Sequence, residues 1–371
     1  MYVAALWRDF AEKFTDLTVS YELYRRVFEE ENIAFGQPSQ DDCEICQQTD
    51  RHSKQQLEDH NADNCMICIS SKEHLERARK ARREYQDQHS DITNKTYTAD
   101  MQKIILLPKL TIKQHFFVSR LVVFNETFAC LNEGQKDLAM LWHEAINGRT
   151  AANVAAAYVK CLEMSDSDRI TIWADNCCGQ NKNWTLYTTL CHCVNQEWGP
   201  REVSVKYLEK GHTYMKADSV HGSIGKKLKK QAEVLTFPDF VDLVDTAGKS
   251  IKPVVLETTD FHEFTAQNRT RKTKHLTLSL LSTICCATFR KDSRLMFFKT
   301  DFDQEEQSVD FLTPKCDVKT FPPSRGIPRG IKICKKEGIL KLLNDIPSTK
   351  KKFWLDLPTN EASIDLVSNV E

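Results

Sequence analysis

The chain has 371 residues, 41% of them hydrophobic, and a formal net charge of −1. This length predicts two or three domains, and a nearly neutral charge is not typical of a protein that binds nucleic acid with its whole surface. No apolar run reaches the length of a membrane span, and the first residues do not resemble a secretory signal. We therefore expect no membrane partner and a nuclear or cytoplasmic location.

Composition and periodicity predict an α/β protein of five consecutive segments. The central segment alternates apolar strand-like runs with helical ones, which is typical of a sheet flanked by helices. The segments are residues 1–42, a helical region; 43–92, a cysteine module with a basic helix; 93–247, the α/β core; 248–330, a small β-rich extension; and 331–371, a helical tail.

The core segment contains five predicted strands and three predicted helices. One helix is expected to begin after Thr150, a residue type that commonly caps helices, and to connect two parallel strands. The strands are expected near 95–100, 116–124, 138–143, 170–174 and 203–208, and the two later helices near 184–190 and 215–228. In the extension, strands are expected over 276–289 and 294–298.

Two Cys-x-x-Cys motifs precede this core. Cys43 and Cys46 form the first, and Cys65 and Cys68 form the second. Two such motifs at this separation predict a structural zinc site with four thiolate ligands, and the ion would supply folding free energy that the polar interval lacks. Unligated or disulfide-bonded cysteines are the alternative. Three nearby histidines could replace a thiolate: His52, His60 and His74.

The most informative stretch runs from Trp173 to Asn183. Asp175 lies in it where a predicted strand gives way to a polar loop, and open α/β sheets place functional residues at such strand ends. Amide side chains can hold the loop by hydrogen bonds to the backbone. They belong to Asn176, Gln180, Asn181 and Asn183. Ordinary turn chemistry is the alternative explanation for this composition.

Two other acidic positions strengthen the interpretation of Asp175. Asp100 ends a predicted strand, and Asp218 lies on a predicted helix, where it shares one face with His221 and Gly225. Carboxylates repel one another unless a cation separates them, and Mg²⁺ or Mn²⁺ prefers oxygen ligands. Two such ions stabilise the attacking and leaving oxygens of phosphodiester chemistry. The pattern predicts three metal ligands, Asp100, Asp175 and Asp218, with His221 as a further catalytic candidate.

These motifs resemble those of a large family of transposon-derived animal proteins. Its signature, Asp-Asn-Cys-x-x-Gln-Asn-Lys-Asn, matches the run from Asp175 to Asn183. Further similar segments begin at Asn32, Asp100, Trp142, Gly211 and Ile331. The resemblance implies an RNase H-like core of the DDE transposase or integrase type, a mixed sheet flanked by helices. It also implies metal-dependent polynucleotidyl transfer or nuclease activity with DNA as the expected partner, and it leaves a homo-oligomer open.

One position departs from the family pattern. Relatives often carry a glutamate where this chain has Gly225, and a glycine inside a helix costs about 1 kcal/mol relative to alanine. This departure favours a weakened enzyme. The alternative is a domesticated, catalytically inactive scaffold that binds nucleic acid or protein, an alternative also favoured because no segment resembles a helix-turn-helix. A zinc-centred interaction module with an inert α/β body is a third, weaker alternative.

Basic residues follow the predicted helix of Asp218. Such a patch could neutralise phosphates beside a catalytic cleft, although a solvated helix face is the simpler explanation. The four residues are Lys226, Lys227, Lys229 and Lys230. Two other basic clusters lie at residues 72–83 and 269–274.

Overall fold

The computed structural model describes residues 3–14, 17–30, 43–54, 61–88, 94–111, 117–264, 278–343 and 346–366. The chain divides into two compact units, residues 1–60 and 61–371. The division falls within the predicted cysteine module. Some sequence features lie outside the described residues: His60, the basic cluster at 269–274 and the family-like segment that begins at Asn32.

The first unit is helical where it is described, as the sequence predicts for its first part. The ring of Trp7 packs edge-on against that of Tyr21, with centroids 5.7 Å apart, and the Trp7 indole N–H donates to the carbonyl of Val19 at 2.9 Å. Aromatic side chains therefore hold the first two helices together. The helices are α1 (Val3–Lys13), α2 (Tyr21–Glu30) and α3 (Glu44–Lys54).

The second unit is built on a ten-stranded mixed sheet. Its strands are β1 (Lys95–Met101), β2 (Ile105–Leu107), β3 (Leu121–Cys130), β4 (Asp137–His143), β5 (Arg169–Ala174), β6 (Glu202–Tyr207), β7 (Ile251–Val255), β8 (Cys286–Arg290), β9 (Met296–Lys299) and β10 (Gln307–Val309). They are ordered β10-β9-β8-β6-β5-β1-β3-β4-β7, and β2 pairs with β3.

The centre of the sheet combines antiparallel and parallel strands. β1, β3 and β4 are antiparallel neighbours, whereas β5 runs parallel to β1 and β6 runs parallel to β5. Parallel strands need long connections, which are usually helical. The helices that enter and leave β5 make these connections.

Eight helices are described in the second unit. They are α4 (Met66–Asp87), α5 (Ala151–Glu163), α6 (Trp184–Val194), α7 (Lys216–Lys230), α8 (Phe237–Asp245), α9 (Leu278–Thr283), α10 (Ile333–Leu342) and α11 (Ser348–Asp356). One apolar core contains residues of α5 and α6, and another contains residues of α7, α8, α10 and α11. No helix among the described residues is both long and apolar enough to cross a membrane.

Two sequence predictions of strands need correction. The strand expected near 116–124 is Leu121–Cys130, because the strand continues through the polar triplet Asn125–Thr127 into buried apolar residues. Of the strand expected over 276–289, the described part contains helix α9 and only the short strand β8. A short apolar run does not distinguish a buried strand from a buried helix by periodicity.

The strands of residues 248–330 join the central sheet. β7 pairs with β4 at one edge, and β8 pairs with β6 on the other side. The predicted β-rich extension thus enlarges the core sheet rather than forming a sheet of its own among the described residues.

Candidate functional site

Asp100 and Asp175 lie side by side at the carboxyl ends of two parallel strands. β1 and β5 are neighbours with Ala99 opposite Ala174, so the two aspartates are the next residues in register. The negative charge of Asp175 is one of the groups that raise the pKa of Asp100. The sequence prediction that these two residues share a site is consistent with this register.

The loop after Asp175 orients its carboxylate. Asn181 donates its side-chain amide to Oδ1 of Asp175 at 2.7 Å, and Tyr158 donates its hydroxyl to the amide oxygen of Asn181 at 2.9 Å. The backbone N–H of Cys177 also donates to Oδ1 of Asp175, at 3.1 Å. Because Asn181 and Tyr158 are fully buried, they fix the position of one carboxylate oxygen.

The predicted side-chain to backbone bonds are made by two of the four amides, Asn176 and Asn183, whereas Asn181 and Gln180 bond to side chains. Asn183 accepts a hydrogen bond from the backbone N–H of Leu186 at 2.9 Å and so caps α6. Asn176 donates to the carbonyl of Leu208, and Gln180 donates to the sulfur of Met101 at 3.6 Å. The loop is thereby connected to β1 and to the end of β6.

Helix α7 brings Asp218 and His221 to Asp100. The backbone N–H of Ala217 donates to the hydroxyl of Thr98 at 3.0 Å, which docks the start of the helix on β1. One ligand atom from each of Asp100, Asp218 and His221 lies within 4.8 Å of the others. His221 Nδ1 is 3.5 Å from Oδ2 of Asp100. The sequence prediction placed these three residues in one site, and the structure brings them together.

Glu126 is a carboxylate that the sequence reasoning missed. It lies on β3 beside Asp100, with Thr127 opposite Asp100 in the register, and it is 0% exposed. No described residue forms a hydrogen bond with either of its carboxylate oxygens. Burial raises its pKa well above the usual value, and the charges of Asp100 and Asp175 raise it further. A polar triplet inside an apolar strand was the signal that could have identified it.

The site is strongly acidic, because it combines Asp100, Asp175, Asp218 and Glu126. Burial, followed by the charges of Asp175 and Asp218, raises the pKa of Asp100 to about 7. Burial lowers the pKa of His221 to about 4, so its imidazole is neutral at pH 7. Within the described residues, no lysine or arginine forms an ion pair with Asp100, Asp175 or Glu126. Such a cluster favours a bound divalent cation.

The space beside Gly225 is open. A Cβ built on this residue meets no heavy atom within 4 Å. Gly225 lies one turn after His221 on the same face of α7. A Cβ at this position is therefore accommodated without a close contact.

The lysines after Gly225 differ in their surroundings. Lys227 donates to the carbonyl of Thr246 at 3.0 Å, whereas Lys226, Lys229 and Lys230 are exposed. The basic helix predicted at 72–83 lies within α4, and several of its basic side chains contact other parts of the protein. Lys80 forms an ion pair with Asp303 at 2.8 Å. These contacts leave the exposed lysines of α7 as the better candidates for phosphate contacts.

The two cysteine pairs lie in different units, and each is described within its own unit. Burial, followed by a hydrogen bond with the Cys43 thiol, raises the pKa of Cys46. A hydrogen bond from the backbone N–H of Cys68 lowers the pKa of Cys65, which favours the metal-binding thiolate. Cysteine and histidine side chains thus offer donors compatible with zinc. That all four thiolates bind one ion stays a prediction.

Among the comparisons with known proteins, one family model matches part of the chain. The model of a family described only as a domain of unknown function, DUF7869, matches residues 152–307. The match includes Asp175, Asp218 and His221, whereas Asp100 and Glu126 precede it. No curated protein and no solved structure matches the chain.

Proposed function

We propose that this protein is a metal-dependent enzyme that cleaves or transfers phosphodiester bonds of nucleic acid, with DNA as its substrate. The observation that supports the proposal is the acidic cluster. Neighbouring strands contribute Asp100, Asp175 and Glu126, and the described residues supply no cation to compensate them. An arrangement of this kind costs free energy unless a cation is bound.

The donors of the cluster fit Mg²⁺ or Mn²⁺. Carboxylate oxygens are the ligands that these ions prefer, and the unpartnered oxygens of Glu126 remain able to accept a ligand bond. Asp100, Asp175 and Asp218 would hold the metal, and Glu126 would add a fourth carboxylate. Bound divalent ions polarise the phosphoryl oxygens and stabilise charge on the attacking and leaving oxygens.

The protein side chains provide orientation and proton transfer. Asn181 keeps one oxygen of Asp175 in place, which leaves the other oxygen for the metal. His221 is neutral near pH 7, and no described residue bonds to its buried Nε2. A neutral imidazole nitrogen can accept a proton from an attacking water or hydroxyl. His221 is therefore the proposed general base.

The topology supports an RNase H-like core for this enzyme. Three antiparallel strands, β1, β3 and β4, are continued by the parallel strands β5 and β6. Helices connect β4 to β5 and β5 to β6. Asp100 and Asp175 lie at the carboxyl ends of the central parallel strands, where α/β sheets place their sites. The sequence resemblance described above favours the same core.

The test is an assay of the full chain on single- and double-stranded DNA and on RNA with added Mn²⁺. Asp175→Asn should reduce cleavage at least a hundredfold, because it removes a proposed ligand. Asp166→Asn is the matched control, since this carboxylate is 92% exposed and pairs with Lys95. Absence of cleavage by the wild type on every substrate, or equal cleavage by Asp175→Asn, would refute the proposal.

A catalytically inactive scaffold is the second candidate function, and Gly225 favours it. The proposed family often carries a carboxylate at this position, and this chain has none there. The scaffold predicts DNA or protein binding that Asp100→Asn and Asp175→Asn leave unchanged. A binding assay on the same variants distinguishes the two functions, because the enzyme predicts metal-dependent DNA binding that these variants weaken.

A further inference from the structure

Two imidazoles meet in the second unit, and the proposed chemistry uses neither of them. His74 lies on α4, and His212 lies between β6 and α7. Their Nε2 atoms are 3.1 Å apart, and their ring centroids are 5.0 Å apart. His74 is 0% exposed. The two rings therefore face each other through their Nε2 atoms.

Glu209 fixes which nitrogen of His74 carries the proton. Its Oε1 is 3.0 Å from Nδ1 of His74, and it also accepts a hydrogen bond from Nη2 of Arg77 at 3.2 Å. Because a carboxylate oxygen accepts hydrogen bonds, Nδ1 of His74 carries the proton that it donates to Glu209. The lone pair of His74 then lies on Nε2, directed towards His212. A carboxylate that orients an imidazole in this way is typical of metal-binding histidines.

Helix α4 also holds the segment of His212. Arg82 donates to the carbonyl of His212 at 3.0 Å and to the carbonyl of Tyr214 at 2.6 Å. A neutral imidazole is the form of His212 that binds metal.

We propose that the Nε2 atoms of His74 and His212 bind one zinc ion. Zn–N bonds of about 2.0–2.1 Å in a tetrahedral site place two ligand nitrogens about 3.3 Å apart. The observed separation of 3.1 Å is within a few tenths of an ångström of that value. The pair supplies two of the four ligands that zinc usually takes. An N–H···N hydrogen bond between the rings is the competing explanation.

The ion has a structural role. It joins α4 to the segment that leads directly into α7, the helix that carries Asp218 and His221. Zinc at this position holds the start of α7 against α4, as Arg82 does through carbonyl groups. The zinc site does not depend on the proposed nuclease activity, because zinc binding is measured without a cleavage assay.

The first experiment measures zinc in the full chain purified without chelators. Zinc X-ray absorption should show nitrogen ligands at about 2.0–2.1 Å, which differ from sulfur ligands at about 2.3 Å. His212→Ala should remove nitrogen scattering and weaken zinc binding at least tenfold in competition with a chelator. His262→Ala is the matched control, since His262 bonds to the carbonyl of Pro322 instead.

Glu209→Gln tests the orientation of His74 without truncating a buried ring. Loss of the carboxylate should weaken zinc binding about 10- to 100-fold, while circular dichroism remains that of the wild type. The proposal would be overturned if the wild-type protein contained no zinc, or if X-ray absorption showed only sulfur ligands around the zinc. It would also be overturned if His212→Ala left the X-ray absorption spectrum and the zinc affinity unchanged. Any of these results leaves the proposed activity at Asp100 and Asp175 untouched.

Discussion

Two buried glutamates on neighbouring parts of one sheet have opposite surroundings. Glu144 follows β4 and is 1% exposed, and Glu126 lies on β3 and is 0% exposed. Glu144 forms an ion pair with the buried Lys335 and accepts a hydrogen bond from the backbone N–H of Val122 at 2.8 Å. Glu126 has no hydrogen-bond partner among the described residues.

The difference separates a buried carboxylate that the protein compensates from one that its described residues leave uncompensated. Where a buried charge only connects elements, the protein supplies its counter-charge, as Lys335 of α10 does for Glu144. Glu126 lies beside Asp100 and Asp175, which raise its pKa instead of stabilising its charge. A cation from outside the chain is the simplest way to compensate it, because burying an ionised carboxylate alone costs several kcal/mol.

The largest expected effect is a loss of folding stability when Glu144 loses its partner Lys335. Lys335→Met leaves Glu144 buried without its main partner and should reduce the free energy of unfolding by about 3–5 kcal/mol. Chemical denaturation at pH 7 measures this. The double variant Glu144→Gln with Lys335→Met should recover most of the loss. A single Lys335→Met variant as stable as the wild type would contradict the structural role of the pair.

The next effect concerns metal binding at the uncompensated glutamate. Glu126→Gln keeps the shape of the side chain and should increase metal-free stability at pH 7, because a neutral amide avoids the cost of burying or protonating the carboxylate. It should weaken Mn²⁺ binding at least tenfold in isothermal titration calorimetry. Glu144→Gln is the matched control, and it should leave Mn²⁺ binding unchanged. Equal Mn²⁺ affinity of Glu126→Gln and the wild type would exclude Glu126 from the site.

A smaller effect is the pH dependence that Asp100 causes. Its pKa is about 7 in the folded protein and 3.8 in an unperturbed chain. Between these values the folded state binds more protons, so metal-free stability decreases as pH rises from about 4 to 7. Allowing for partial exposure, we expect about 1–2 kcal/mol from this group. Asp100→Asn should flatten the decrease, which denaturation at several pH values measures.

The smallest expected effect on stability is that of replacing Gly225 of α7. Gly225→Ala should stabilise the protein by about 0.5–1 kcal/mol through helix propensity alone, since the added Cβ meets no atom within 4 Å. Gly225→Glu should add Mn²⁺ affinity or cleavage beyond the alanine variant. Identical behaviour of the two variants would show that position 225 does not reach the metal.

The strand-end aspartates could be predicted because their signals are local. The apolar run of β5 and the polar loop after it locate Asp175, and the helical spacing from Asp218 to His221 gives their common face. The proximity of Asp175 to Asp100 follows from the parallel register of β1 and β5. The alternation of strands and helices in the sequence favours this register.

Other features could not be predicted because they depend on distant partners. Glu126 joins the site through the antiparallel register of β3 with β1, and a polar residue in a strand does not reveal its neighbour. His212 approaches His74 from a segment far along the chain. The helix α9 was mistaken for a strand because its apolar run is too short for periodicity to decide.

The open space beside Gly225 has a genetic consequence. Glycine codons that end in a purine become glutamate codons by a single base change in the second position. No neighbouring heavy atom lies within 4 Å of the Cβ that the new residue would add. A form with a carboxylate at position 225 is thus one mutational step away from such a codon.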